Sequence, residues 1–162
     1  MDRHLTVSGF VVYEGRVALH WHRKNGMWLP AGGHLEPGED PVQAALLEIR
    51  EEFALEAEVT LLAPRVEYAG GPGQLEPPHT ILVCHPEPEH EHIDFVYFCH
   101  VVGGYPGLSH DPENPIFWFD AAALSNGEAP VNGRVISFPP DVQALGLEAI
   151  RLASISVEAG SR

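Results

Sequence analysis

The chain predicts an α/β fold, with a mixed β-sheet sandwiched between helices in one domain over residues 1–162. Three observations carry this expectation. Strand-like apolar runs come first, an amphipathic helix follows, and further strands precede a second amphipathic helix. The apolar run at 93–102 is continuous rather than alternating, the pattern of a central strand covered on both faces. An apolar fraction of 44% can build a core between such layers.

Taken in order, residues 6–13 are apolar and β-branched, Glu14-Gly15 makes a turn, and residues 17–22 read as the hairpin partner. Asn25-Gly26 is a second turn, and Gly32-Gly33 are expected in a loop. Pro37-Gly38-Glu39 leads into a helix with Asp40 as N-cap and Pro41 in its first turn. Val42, Ala45, Leu46, Ile49 and Phe53 recur at helical spacing and form its apolar stripe. A strand at 57–62, extending past Pro64, comes next. The segment 64–92 is dense in proline and glycine, which predicts surface loops around one short strand at 80–84. A short strand at 116–119 precedes a helical turn after Asp120. The last helix carries Val142, Leu145, Ala149 and Leu152 on one stripe, with Asp141 as its expected N-cap. There is no internal repeat.

The formal net charge is −14, from 23 acidic and nine basic residues. That argues against a nucleic-acid duplex or an anionic membrane as partner, since both need basic patches. A phosphate-bearing small molecule stays compatible if a metal offsets the local charge. No apolar run reaches the length of a membrane span, and the first residues hold no signal-peptide core. Two cysteines, Cys84 and Cys99, are too few for a disulfide framework, so a reduced, cytoplasmic setting is expected.

On the helix after Pro41, Glu48, Glu51 and Glu52 fall at i, i+3 and i+4 and share one narrow face. Like charges so placed weaken a helix. A cation among them offsets that repulsion, and oxygen-only ligands suit hard divalent ions such as Mg²⁺. The ordinary alternative is a solvated acidic face. The whole stretch from Gly33 to Leu55 resembles the Nudix box, G-x5-E-x7-R-E-U-x-E-E-x-G-U with U aliphatic. Gly33, Glu39, Glu48, Ile49, Glu51, Glu52 and Leu55 fall on their marks. Two positions depart: the box arginine is Leu47 and the late glycine is Ala54. The arginine resembles a partner for a box glutamate; Arg50, Arg23 or Lys24 are the available substitutes. Alanine is expected at the helix end without positive φ.

The resemblance implies the Nudix α/β/α sandwich and a hydrolase that cleaves a nucleoside diphosphate-linked substrate with Mg²⁺, or sometimes Mn²⁺. Carried over by motif position, Glu48, Glu51 and Glu52 are the catalytic, metal-holding carboxylates. Glu52 is the first choice for direct ligation, Glu48 for general base or second ligand. The carbonyl of Gly32 completes the sphere, and Glu39 orients the loop. Because the base varies within the family, Glu87, Glu89 and Glu91 are further candidates, against the alternative of a solvated acidic loop. Arg23 and Lys24 are candidates to meet phosphates, Tyr68 to stack on a base and His92 to touch a leaving group. Trp21, Trp28 and Trp118 can also stack, although each is an ordinary core residue. His79, His85, His90, His92 and His100 with the two cysteines invite a zinc reading, but their spacing matches no compact zinc pattern. The family likeness also implies a possible homodimer. Three functions follow: a Mg²⁺-dependent pyrophosphohydrolase on a nucleotide-like small molecule; a non-catalytic nucleotide-binding sensor, motivated by Leu47; and, ranked last, an isoprenoid diphosphate isomerase.

Overall fold

The structure, a computed structural model, describes residues 2–61, 68–106 and 115–160. The strands are β1 (Asp2–Tyr13), β2 (Arg16–His22), β3 (Met27–Leu29), β4 (Ala31–His34), β5 (Leu55–Val59), β6 (Thr80–Glu87), β7 (His90–Gly104), β8 (Ile116–Asp120), β9 (Glu128–Val131) and β10 (Arg134–Ser137). The helices are α1 (Pro41–Phe53), α2 (Ala121–Ser125) and α3 (Pro140–Gly160).

Among the described residues, eight strands form one mixed sheet. Its main path is β3-β2-β1-β7-β5, with β4 beside β1, β6 beside β7 and β8 beside β2. β1 and β7 run parallel in unbroken register from Asp2 opposite His90 to Val12 opposite His100. The remaining pairings in this sheet are antiparallel. Alternation along β1 sends side chains to two separate cores. Val7 and Val11 pack with Ala45, Ile49 and Phe53 of α1. Phe10 and Val12 pack with Leu19, Trp28, and Val142 and Ala149 of α3. The mixed sheet between helices is therefore the expected α/β/α sandwich. At Gly9 a Cβ would stand 2.7 Å from Ile49 Cδ1, so α1 presses directly on the sheet backbone there.

One feature of β1 makes room for a site. Its end, Val12 and Tyr13, pairs with β2, whereas Thr6 to Gly9 pair with β4. The chain crosses between these partners at buried Pro30, which has no N–H to place in either ladder. The sheet therefore forks between β2 and β4.

Several expectations need correction. Gly32 and Gly33 lie in strand β4 rather than in a loop, because β1 offers them an antiparallel partner. Ala54 caps α1 in the left-handed region, at φ 53°, with its N–H on the carbonyl of Arg50; positive φ was not expected there. α3 begins at Pro140, so Asp141 sits in its first turn instead of capping it. The strand expected at 57–62 runs from Leu55 to Val59; Leu62 and the extension past Pro64 lie outside the described residues. β6 continues through Pro86 to Glu87, tolerated because β6 is an edge strand with an irregular register after Cys84. The β9–β10 hairpin was not anticipated, although its turn, Asn132-Gly133, has φ of 50° and 72° and is a strong local hairpin signal.

Candidate active site

The approach to α1 is held by short-range polar contacts. The Leu35 N–H donates to Leu5 O at 2.9 Å, fixing the loop to β1. The Glu36 N–H donates to the Glu39 carboxylate at 3.1 Å, so Glu39 braces this loop. Asp40 caps the helix by accepting from the Gln43 N–H at 2.8 Å, and Pro41 follows with φ already suited to a helix.

So oriented, α1 lays its acidic face over β4. The Gly32 N–H donates to Glu52 Oε2 at 2.9 Å. The Glu48 carboxylate lies against Gly33 so closely that a Cβ there would sit 2.0 Å from its Oε1. The glycine pair thus serves twice: Gly32 supplies a donor, and Gly33 supplies space. Glu51 is exposed beside them.

These carboxylates are costly to ionise together. Burial raises the Glu52 pKa to about 7; the Gly32 hydrogen bond opposes that, while Glu48 and Glu51 add to it. Glu48 is raised by burial and by the neighbouring charges of Glu51 and Glu39. An all-oxygen set that is mutually repulsive and partly desolvated fits a hard divalent cation, which would reverse both effects. Leu47 and Arg50 line a shallow surface depression with Glu39, Gln43 and Glu56.

A cavity of about 350 Å³ opens in the fork of the sheet. The same glycine pair borders it, together with Thr6, His20, His34, His92 and Asp94. Asp94 is buried; Thr6 Oγ1 donates to it at 2.9 Å and Ser8 also bonds it. Burial nevertheless outweighs those bonds and raises its pKa.

The other anticipated residues distribute as follows. His92 lines the cavity. Arg23 and Lys24 are exposed in the β2–β3 turn, between the lining residues His22 and Asn25. Tyr68 is 68% exposed and is not among the lining residues. Trp28 is a core residue whose indole N–H donates to Ile136 O at 3.3 Å, and Trp21 and Trp118 pack at the edges of the cores. Glu91 is buried and engaged by Arg3 and, at 3.4 Å, by His85, while Glu87 and Glu89 are exposed. The cysteine and histidine zinc set does not assemble as a whole. His79 stacks on Phe98, His100 meets Thr60, and Cys99 lies in the α1 core with its thiol pushed up to about 12 by burial. His90 and His92 do meet, with different partners. Sequence reasoning missed Asp94, His20, His34 and His4. The one available signal was Asp94 as the charged interruption at the start of an apolar run.

A model of the NUDIX domain matches residues 2–137. The chain belongs to the Nudix family. Nudix enzymes are hydrolases acting on diphosphate bonds. Among solved structures, a NUDIX-family hydrolase from Clostridium perfringens is 27% identical, with TM-score 0.73, over 94% of this chain and 99% of that one. A MutT NUDIX hydrolase from Burkholderia pseudomallei is 17% identical, with TM-score 0.57, over 92% and 98%. An ADP-ribose pyrophosphatase from Streptococcus suis is 14% identical, with TM-score 0.51, over 93% and 91%. The last two likenesses are of fold. No curated protein sequence matches this Nudix chain significantly. Among the described residues, no helix is long and apolar enough to cross a membrane.

Proposed function

We propose that this Nudix protein is a Mg²⁺-dependent pyrophosphohydrolase that cleaves a nucleoside diphosphate-linked small molecule by attack of water at phosphorus, with Mn²⁺ as a substitute ion. The observation that supports it best is the convergence of Glu48 and Glu52 on Gly32-Gly33, at the border of the cavity. Glu48, Glu51, Glu52 and the Gly32 carbonyl would hold the ion. When bound, a divalent ion neutralises pyrophosphate charge and acidifies water.

The protein's own residues do the rest. The Gly32 N–H orients the Glu52 carboxylate and favours its charged form. Glu48, pressed against Gly33, has its pKa raised by burial and by Glu51 and Glu39, which suits it to accept the proton of the attacking water. Arg23 and Lys24 at the rim would meet phosphate oxygens, and His92 inside the cavity would contact the substrate. Tyr68, standing outside the cavity, would stack only on a group that projects beyond it.

The test is a panel of nucleoside triphosphates, dinucleoside polyphosphates, ADP-ribose and nucleotide sugars with Mg²⁺, followed by product mass. The expected result is turnover of at least one, reduced on the order of 100-fold or more in Glu52→Gln. No turnover across the panel, or a Glu52→Gln variant as active as the parent, would overturn the proposal.

Leu47 favours a second reading, a Nudix-fold sensor that binds a nucleotide without hydrolysing it. Binding without turnover in the same panel supports the sensor. Turnover that increases in Leu47→Arg supports a weakened enzyme instead.

A further inference from the structure

Four histidines from three strands gather at one end of the sheet, apart from the carboxylate face of α1. His4 comes from β1, His34 from β4, and His90 and His92 from β7. The register explains the gathering. His4 lies opposite His92, Thr6 opposite both His34 and Asp94, and Asp2 opposite His90. Residues two apart on one strand share a face, so His90 and His92 point the same way. Ring centroids are 4.6 Å apart for His4 and His90, 5.2 Å for His4 and His34, and 5.1 Å for His34 and His92. One ring nitrogen from each of His4, His34 and His90 lies within 4.8 Å of the other two. His92 stands beside them, its Nε2 2.8 Å from His90 Nε2.

Behind the rings is a carboxylate. Asp2 Oδ2 is 2.9 Å from His4 Nε2 and 3.9 Å from His90 Nδ1. A carboxylate bonded to an imidazole fixes its tautomer and strengthens its free nitrogen as a ligand. Crowding protonated imidazoles this closely is repulsive, whereas a shared cation uses their lone pairs.

We propose that His4, His34 and His90, with His92 beside them, form a second metal site that takes a borderline divalent ion of the Zn²⁺ class. Imidazole nitrogen suits Zn²⁺, Ni²⁺ and Cu²⁺, whereas the carboxylates of α1 suit Mg²⁺. A tetrahedral ion with bonds of about 2.0–2.1 Å needs nitrogens about 3.3 Å apart, so the ring nitrogens must draw together by up to about 1.5 Å. His34, which is exposed, has the freedom to do so. His34 and His92 also line the cavity, so the ion would sit at its edge. Three imidazoles leave one position for water, for His92 or for a phosphate oxygen.

The full-length protein, stripped by a chelator, is titrated with Zn²⁺ by calorimetry and with Co²⁺ by visible absorption. The titration is run in a Glu48→Gln/Glu52→Gln background, which disables the carboxylate site and separates this test from the fate of the proposed hydrolysis. The expected result is one equivalent of Zn²⁺ bound, with the strong visible band of four-coordinate, nitrogen-bound Co²⁺. His34→Ala, an exposed change that the fold tolerates, and His4→Gln each abolish the band, and Asp2→Asn weakens binding by about 10- to 100-fold. Circular dichroism of each variant controls for folding. Absence of Zn²⁺ uptake in that background, or uptake and band intensity unchanged in the His34→Ala/His4→Gln double variant, would overturn the site.

Discussion

At Gly33 a single methyl group decides where a carboxylate can stand. A Cβ would occupy the place of Glu48 Oε1, at 2.0 Å, and the side chain rather than the sheet must give way. Gly33→Ala is therefore expected to leave the melting temperature within a few degrees of the parent while lowering kcat by about 10- to 100-fold, if Glu48 has the proposed role. Steady-state kinetics beside a thermal melt checks this; unchanged kcat would mean that Glu48 has no fixed role. The neighbouring Glu52 carries a pH signature. Its pKa of about 7 in the fold exceeds its ordinary value of 4.5, so the native state holds the proton more tightly than the unfolded chain. Stability from this group is full below about pH 4.5 and is lost as pH rises through about 7. At about 1.4 kcal/mol per pH unit this amounts to at most about 3.5 kcal/mol. Denaturant titration in chelator should find the metal-free protein more stable near about pH 5 than near about pH 8, with the difference shrinking in Glu52→Gln. Binding of Mg²⁺ below about pH 7 should release protons, which calorimetry in buffers of different ionisation enthalpy detects.

Among the elements, α1 was the most legible, for physical reasons. Its apolar stripe has helical period, its cap and first-turn proline are local, and its carboxylates need only the helix to come together. β3 and β4 were invisible because three and four residues carry too little periodicity and β4 contains two glycines. The hairpin of β9 and β10 announced itself only in its Asn-Gly turn. The cavity was legible least of all: His34, Asp94 and His20 come from three strands, and long-range register is not written in any short window. The end of α1 offers a direct test of local strain. A non-glycine residue in the left-handed region costs about 1–2 kcal/mol, part of which glycine's extra freedom in the unfolded chain cancels. Ala54→Gly, at φ 53°, is therefore expected to stabilise by about 0.5–1 kcal/mol and to raise the melting temperature by about 1–4 °C. Calorimetric melting decides the matter; a lower melting temperature would show that the methyl group contributes packing that outweighs its backbone strain.

Across the whole molecule, the parallel ladder between β1 and β7 joins the two cores. Val7 and Val11 belong to one core and Phe10 and Val12 to the other, so this ladder lies buried between the two helical layers. Amides of residues 7–11 and 96–99 should therefore exchange with solvent only through global unfolding, while those of residues 68–75 exchange many orders of magnitude faster. Hydrogen exchange read by mass spectrometry or NMR measures this, and fast exchange in β1 would show that the cores open independently.

The partner change along β1 has a bearing on ligand choice. Where one strand trades neighbours midway, the gap it leaves is held at both ends by main-chain bonds. Its walls are nevertheless side chains, His20 of β2, His92 of β7 and Val142 and Leu145 of α3 among them, so its width follows how α3 packs on the sheet. A bulkier guest would have to displace those side chains or rest on the rim. Selection among related molecules would then fall to the 23–26 turn and the exposed 68–73 stretch, and exchanging those surface segments should alter preference while leaving the acidic ridge of α1 untouched.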